Sequence, residues 1–142
     1  MRVRKTIPWL FVLLIALLTA RLAIEPLKRH GEAVGCRKTM SSIAIAARLW
    51  ADDHQELFPN SLAMLSNEVA VTRILICPAD HSRQAASSWD NITSSNCSYE
   101  VVTPNLRGAD ATNIFLRCKI HGYLAFADSR VIDGVKPQPK SP

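Results

Sequence analysis

The sequence predicts an α+β protein, with an N-terminal membrane-spanning helix and a long amphipathic helix packed against a small C-terminal antiparallel sheet. Three features carry that expectation. An apolar run follows a short basic head, and apolar residues recur at helical spacing between Cys36 and Trp50. Short β-branched and aromatic runs, separated by turn residues, fill roughly the last third of the chain.

The apolar run extends from Ile7 to Ala20, diluted only by Pro8 and Thr19, and reaches eighteen residues if carried to Ile24. A bilayer asks for about 20. Arg21 stands near the far end, where its stem reaches the headgroups. The rival is a cleaved signal peptide, because fourteen apolar residues also suit an h-region. Cleavage wants small residues at −3 and −1, and the pairs Leu18/Ala20 and Arg21/Ala23 serve poorly. "AVGC" at 33–36 is separated from the run by the charged "EPLKRHGE". The expectation is therefore an uncut anchor. Residues 1–6 form a cytoplasmic basic head, 7–24 the anchor, 31–134 an exported domain and 135–142 a disordered Pro-rich tail. Basic residues flank both ends of the run, and its start six residues from Met1 favours export of the C-terminal part.

Charge supports this division. Residues 1–30 hold six Lys/Arg against the single acid Glu25, whereas 31–142 hold eleven of each sign. The net charge of +5 thus flanks the apolar segment instead of coating a globular face, which removes the electrostatic basis for nucleic-acid binding.

After Pro26, Cys36, Met40, Ile43, Ala47 and Trp50 form one stripe at spacings of four and three, the core face of a helix. Ala44, Ala46, Ala47 and Ala51 add helix propensity, and Pro59 stops the pattern. "NSLAML" predicts a short helix capped by Asn60 or Ser61, and "VTRILIC" a strand or buried extended segment. Residues 78–98 read as a polar loop anchored by Trp89, with Cys77 and Cys97 at its ends. "SYEVVTP", "IFLRCKI", "YLAFAD" and "SRVI" predict four strands, with His121-Gly122 and Asp128-Ser129 in the last two turns.

Four cysteines, Cys36, Cys77, Cys97 and Cys118, are an even number, which in a small exported domain reads as two disulfides. In a cytosolic protein the same number points to metal or redox chemistry. No CxxC pair is present, so a thioredoxin-like site is unsupported.

The order of these segments resembles the pilin-like and pseudopilin-like proteins of bacterial type II secretion and type IV pilus systems. In the nearest group a helix ends in Tyr-Ala-x-Asp/Asn-x-x-x-x-Phe-Pro. A Cys-Pro-x-Asp follows, and a later Cys-Pro-x-His-Gly leads into Phe-x-Asp-Gly-x-Val. Trp50, Ala51, Asp52, Phe58 and Pro59 match the first pattern with Trp for Tyr, and Cys77, Pro78 and Asp80 match the second. Cys118, His121, Gly122, Phe126, Asp128 and Val131 match the third, with Lys119 for Pro and Ser129 for Gly. The resemblance covers roughly residues 36–132. It implies a structural or interaction role in the envelope, an inner-membrane anchor through 7–24 and a periplasmic domain. Other pseudopilins or secretion components are the implied partners. The chain departs from the family before its apolar run, where "RKTIPWLFVLL" lacks the Gly and Glu of a prepilin peptidase site.

Beside that resemblance, a Cys77–Cys118 disulfide closes a loop of about forty residues and adds about 3–4 kcal/mol. Cys36–Cys97 then fastens the helix to the sheet. Three pairings are open to four cysteines, so this one is a preference. A zinc site drawn from Cys77, Asp80 or His81, Cys118 and His121 is the competing expectation, with only the second half showing Cys-x-x-His spacing. Asp52, Asp53, His54 and Glu56 cluster in "ADDHQE" as an acid/base or cation-binding candidate, against the plainer role of a solvated helix end. Gly-x-Ser-x-Gly, His-Glu-x-x-His and phosphate-binding Gly-rich loops do not occur. The sequence thus predicts a non-enzymatic, membrane-anchored envelope protein without cofactor or metal. The alternative is a secreted metal- or ligand-binding module with a Cys/His site, and a small enzyme using Asp52 and His54 stands third.

Overall fold

The structure is a computed structural model that describes residues 7–108 and 111–134. The basic head at 1–6 and the tail at 135–142 lie outside the described residues. Helix α1 spans Ile7–Asp52, and the chain's contacts fall into two units, 1–31 and 32–142.

In the first unit, α1 is apolar on every side from Trp9 to Ala20. Trp9, Leu10, Phe11, Leu17, Leu22 and Leu27 are exposed, and none of the most apolar stretch is buried. It belongs to the one helix among the described residues long and apolar enough to cross a membrane. Pro26 lies inside the helix, where its missing N–H withdraws one i→i−4 bond.

In the second unit, the same helix has a buried side. Cys36, Met40, Ile43, Ala44, Ala47 and Ala51 are buried, and Trp50, expected to complete the stripe, is half-buried. The alanines set a smooth surface that lets the rest of the unit approach closely. At the helix exit, Gln55 and Glu56 adopt left-handed backbone (φ 57 and 65), while the Ala51 carbonyl accepts N–H bonds from His54 and Glu56 at 3.0 and 2.9 Å.

Strands β1 (Tyr99–Val101), β2 (Ile114–Cys118), β3 (Leu124–Phe126) and β4 (Val131–Ile132) form one antiparallel sheet in that order. All four strands expected from "SYEVVTP" onward are present. Phe115, Leu116 and Cys118 of β2 are buried and Arg117 is exposed, where it pairs with Glu100 across the β1–β2 register. An irregularity between Ile114 and Leu116 turns both Phe115 and Leu116 inward. The β2–β3 hairpin closes through Gly122 at φ 74, which brings its N–H to the Cys118 carbonyl at 2.9 Å. Ser129 occupies the β3–β4 turn at φ 71.

Between helix and sheet, the expected short helix is a 3-10 turn, Leu62–Ser66, capped by Ser61, whose hydroxyl accepts the Ala63 N–H. "VTRILIC" differs from expectation. Thr72–Leu75 forms a 3-10 turn, with Val71 before it and Ile76 after it extended. Leu75 and Cys77 are buried and no strand among the described residues recruits the segment, so its β-branched residues do not decide its backbone. Trp89 begins a further 3-10 turn, Trp89–Asn91, and packs against the core from the polar loop. Met40, Ile43, Leu65, Leu75, Tyr99, Phe115 and Leu116 fill that core, each side chain contributing about 1.5–3 kcal/mol on burial. Phe58 meets Phe115 edge-on at 5.2 Å.

Candidate functional site

Three segments of the second unit bring sulfur and nitrogen to one point. Cys36 comes from the buried stripe of α1, Cys77 from the chain just past the Thr72–Leu75 turn, and Cys118 from the end of β2. His121 comes from the hairpin beyond it. One donor atom from each of these four residues lies within 4.8 Å of all the others. Cys36 Sγ is 3.5 Å from Cys118 Sγ. His121 Nδ1 is 3.3 Å from Cys77 Sγ and 3.9 Å from Cys118 Sγ. The three cysteines are fully buried and His121 is half-buried, its ring stacked on Tyr123 with centroids 4.9 Å apart.

The local backbone places each group. Gly35 precedes Cys36 where a Cβ would come within 3.2 Å of the Pro78 ring, so a glycine lets α1 approach the Cys77-Pro78 segment. The Cys118 N–H donates to the Tyr123 carbonyl and the Gly122 N–H to the Cys118 carbonyl, both at 2.9 Å, which folds His121 back over Cys118. The His121 N–H then points at Cys118 Sγ, 3.4 Å away.

The free thiols correct the expected disulfides. Cys77–Cys118 and Cys36–Cys97 are not formed, and all four cysteines are free. The Cys36–Cys118 separation of 3.5 Å far exceeds the about 2.05 Å of an S–S bond. Cys97 stands apart from the other three and donates its S–H to the Tyr99 carbonyl at 3.1 Å. Counting cysteines assumes they meet in twos, whereas here three meet together with a histidine.

Charge in the cluster is shared unequally. Hydrogen bonds from the Cys36 and Cys77 thiols hold the Cys118 thiol well below its usual value. Hydrogen bonding to Cys118 in turn pushes Cys77 and Cys36 up, and burial adds to the rise.

Asp80 and His81, the other zinc candidates, do not join. Asp80 is 6 % exposed and accepts from Ser82 Oγ at 2.7 Å, Arg83 Nη1 at 2.6 Å, Ser98 Oγ at 2.6 Å and the Ser82 and Arg83 N–H groups. Burial pushes its carboxyl up, but the hydrogen bonds from Ser98, Ser82 and Arg83 outweigh this and hold it well below the usual carboxylate range. His81 instead lies 3.2 Å from Glu32. The member of the cluster that the spacing did not reveal is Cys36, whose only sequence signal for this cluster is its place on the buried stripe.

The "ADDHQE" residues Asp52, Asp53, His54 and Glu56 are all exposed. The His54 ring stacks on Trp50 with centroids 3.6 Å apart, and its Nδ1–H donates to the Trp50 carbonyl at 2.6 Å. That imidazole finishes the helix end, as the plainer expectation had it. No protein-family model, curated protein or solved structure matches the chain.

Proposed function

We propose that the chain is a non-enzymatic, single-pass membrane protein of the bacterial envelope. Its anchor lies in the inner membrane, and residues 32–134 form a pilin-like domain on the periplasmic side that acts through protein contacts. The observation that carries this is the change of character along α1. Its N-terminal part is apolar on every side and wholly exposed, whereas Cys36 to Ala51 bury one stripe beneath a four-stranded antiparallel sheet. The order of a long apolar helix followed by a small antiparallel sheet is compatible with a pilin-like fold and supports the resemblance drawn from residues 36–132. Other pseudopilins or secretion components are the partners this role calls for, and the absent Gly and Glu before the apolar run argue against processing by a prepilin peptidase.

Fractionation after an alkaline carbonate wash tests the anchor, with the full chain expected in the membrane pellet. A periplasm-dependent reporter fused after Pro142 tests the orientation and is expected to be active. Release of the chain by the wash, or an active cytosolic reporter in the same place, would overturn the proposal.

A further inference from the structure

We propose that Cys36, Cys77, Cys118 and His121 bind a single Zn2+ in a closed, structural Cys3His site. The inference rests on the geometry of the second unit and is independent of which way the chain faces across a membrane.

Three of the six donor separations are close to those of a tetrahedral zinc site, and all six lie within 4.8 Å. Zinc bonds of about 2.3 Å to sulfur and about 2.0–2.1 Å to nitrogen place sulfurs about 3.8 Å apart and sulfur and nitrogen about 3.6 Å apart. The three separations here are 3.5 Å for Cys36–Cys118, 3.3 Å for Cys77–His121 and 3.9 Å for Cys118–His121. A disulfide between any two of the sulfurs would leave the third sulfur and the imidazole buried together without a role. Three thiolates and one imidazole form a soft set that favours zinc over calcium or magnesium. Four protein ligands leave no open position for water or substrate, so the site is structural and not catalytic.

Two of the sulfurs also have a donor besides the side chains of the cluster. The Tyr99 hydroxyl donates to Cys36 Sγ at 3.8 Å and the His121 N–H to Cys118 Sγ at 3.4 Å. Such contacts fix ligand orientation and offset the negative charge of a zinc–thiolate centre. Binding takes the three cysteines as thiolates, with any thiol protons passing to solvent, and leaves His121 coordinating through Nδ1 with its proton on Nε2. The metal would link α1, the Cys77-Pro78 segment and the β2–β3 hairpin at one point, the cross-linking task that the sequence assigned to two disulfides.

The test is metal analysis of the full-length protein, purified in detergent without chelator, followed by exchange into Co2+. One zinc per chain is expected. The cobalt form should show the intense visible bands of a tetrahedral ion together with sulfur-to-cobalt charge transfer. Cys36→Ser should weaken metal binding at least tenfold, while Cys97→Ser, which keeps a donor for the Tyr99 carbonyl, should leave it unchanged. Should Cys36→Ser fail to fold, His121→Cys supplies the check, because a fourth thiolate retains the metal and strengthens the charge-transfer band. A histidine needed only for packing would not be replaced in this way. Wild-type protein that carries no zinc and binds no cobalt would overturn the proposal. So would a Cys36–Cys118 or Cys77–Cys118 disulfide in the native protein, or metal binding that Cys36→Ser leaves intact.

Discussion

Cys77 and Asp80 share one turn, in which the Asp80 N–H donates to the Cys77 carbonyl at 2.8 Å, yet their side chains serve opposite kinds of site. Asp80 turns into a network that is complete within the protein. Two serine hydroxyls, two backbone N–H groups and the Arg83 guanidinium meet one buried carboxylate. Cys77 turns the other way, into a cluster whose members offer one another little more than weak S–H bonds. The first is a finished hydrogen-bond network, and the second is the proposed ligand set of a cation. The contrast teaches that burial alone does not mark a binding site. What distinguishes the cysteine cluster is that its donor atoms converge on a common centre.

The comparison breaks most sharply on metal removal. Stripping zinc with a chelator should lower the domain's stability by roughly 4 kcal/mol, the value for a ligand present at a thousand times its Kd. The melting temperature should then fall on the order of 10–20 °C, read by circular dichroism before and after zinc is restored.

Asp80→Asn should cost about 2–3 kcal/mol, because it removes the charge that Arg83 and the hydroxyls answer. It should leave zinc stoichiometry unchanged. The Asp80 carboxyl is lowered in the folded state, so its contribution is present above the unfolded value of about 4 and is lost as pH falls below it towards the folded value. Wild-type stability should therefore decline on acidification below about pH 4, and the Asn variant should lose that part of the slope in chemical denaturation.

Two smaller effects bound the comparison from outside either site. Ser129→Gly should stabilise by about 0.5–1 kcal/mol, since glycine adopts φ 71 without the clash a Cβ meets there. His54→Ala should change stability by less than about 0.5 kcal/mol, being an exposed helix end, and should leave metal content untouched.

Much of the fold was legible because it rests on short-range periodicity. The stripe through Cys36, Met40, Ile43 and Ala47 and the apolar run in "IFLRC" are visible over a few residues, and both elements formed, with the stripe and Phe115, Leu116 and Cys118 buried. "VTRILIC" was misread because β-branched composition records a preference, while a strand also needs an adjacent strand to pair with. The site was half legible. Cys118 and His121 sit on one turn and show their spacing, but Cys36 reaches the cluster only because α1 packs against the Cys77-Pro78 segment. Asp80 and His81, adjacent to Cys77-Pro78-Ala79 in sequence, point away into other pairings. Tertiary convergence of this kind leaves no trace in local spacing.

The most direct test of the account is the intact mass of the full-length protein from native membranes, recorded under both native and denaturing conditions. A native mass heavier by one zinc ion, which falls on denaturation to that of the fully reduced chain with four thiols, is the result the Cys3His centre predicts. A mass with no bound metal, two or four hydrogens short of the reduced chain, would contradict it and restore the disulfides in its place.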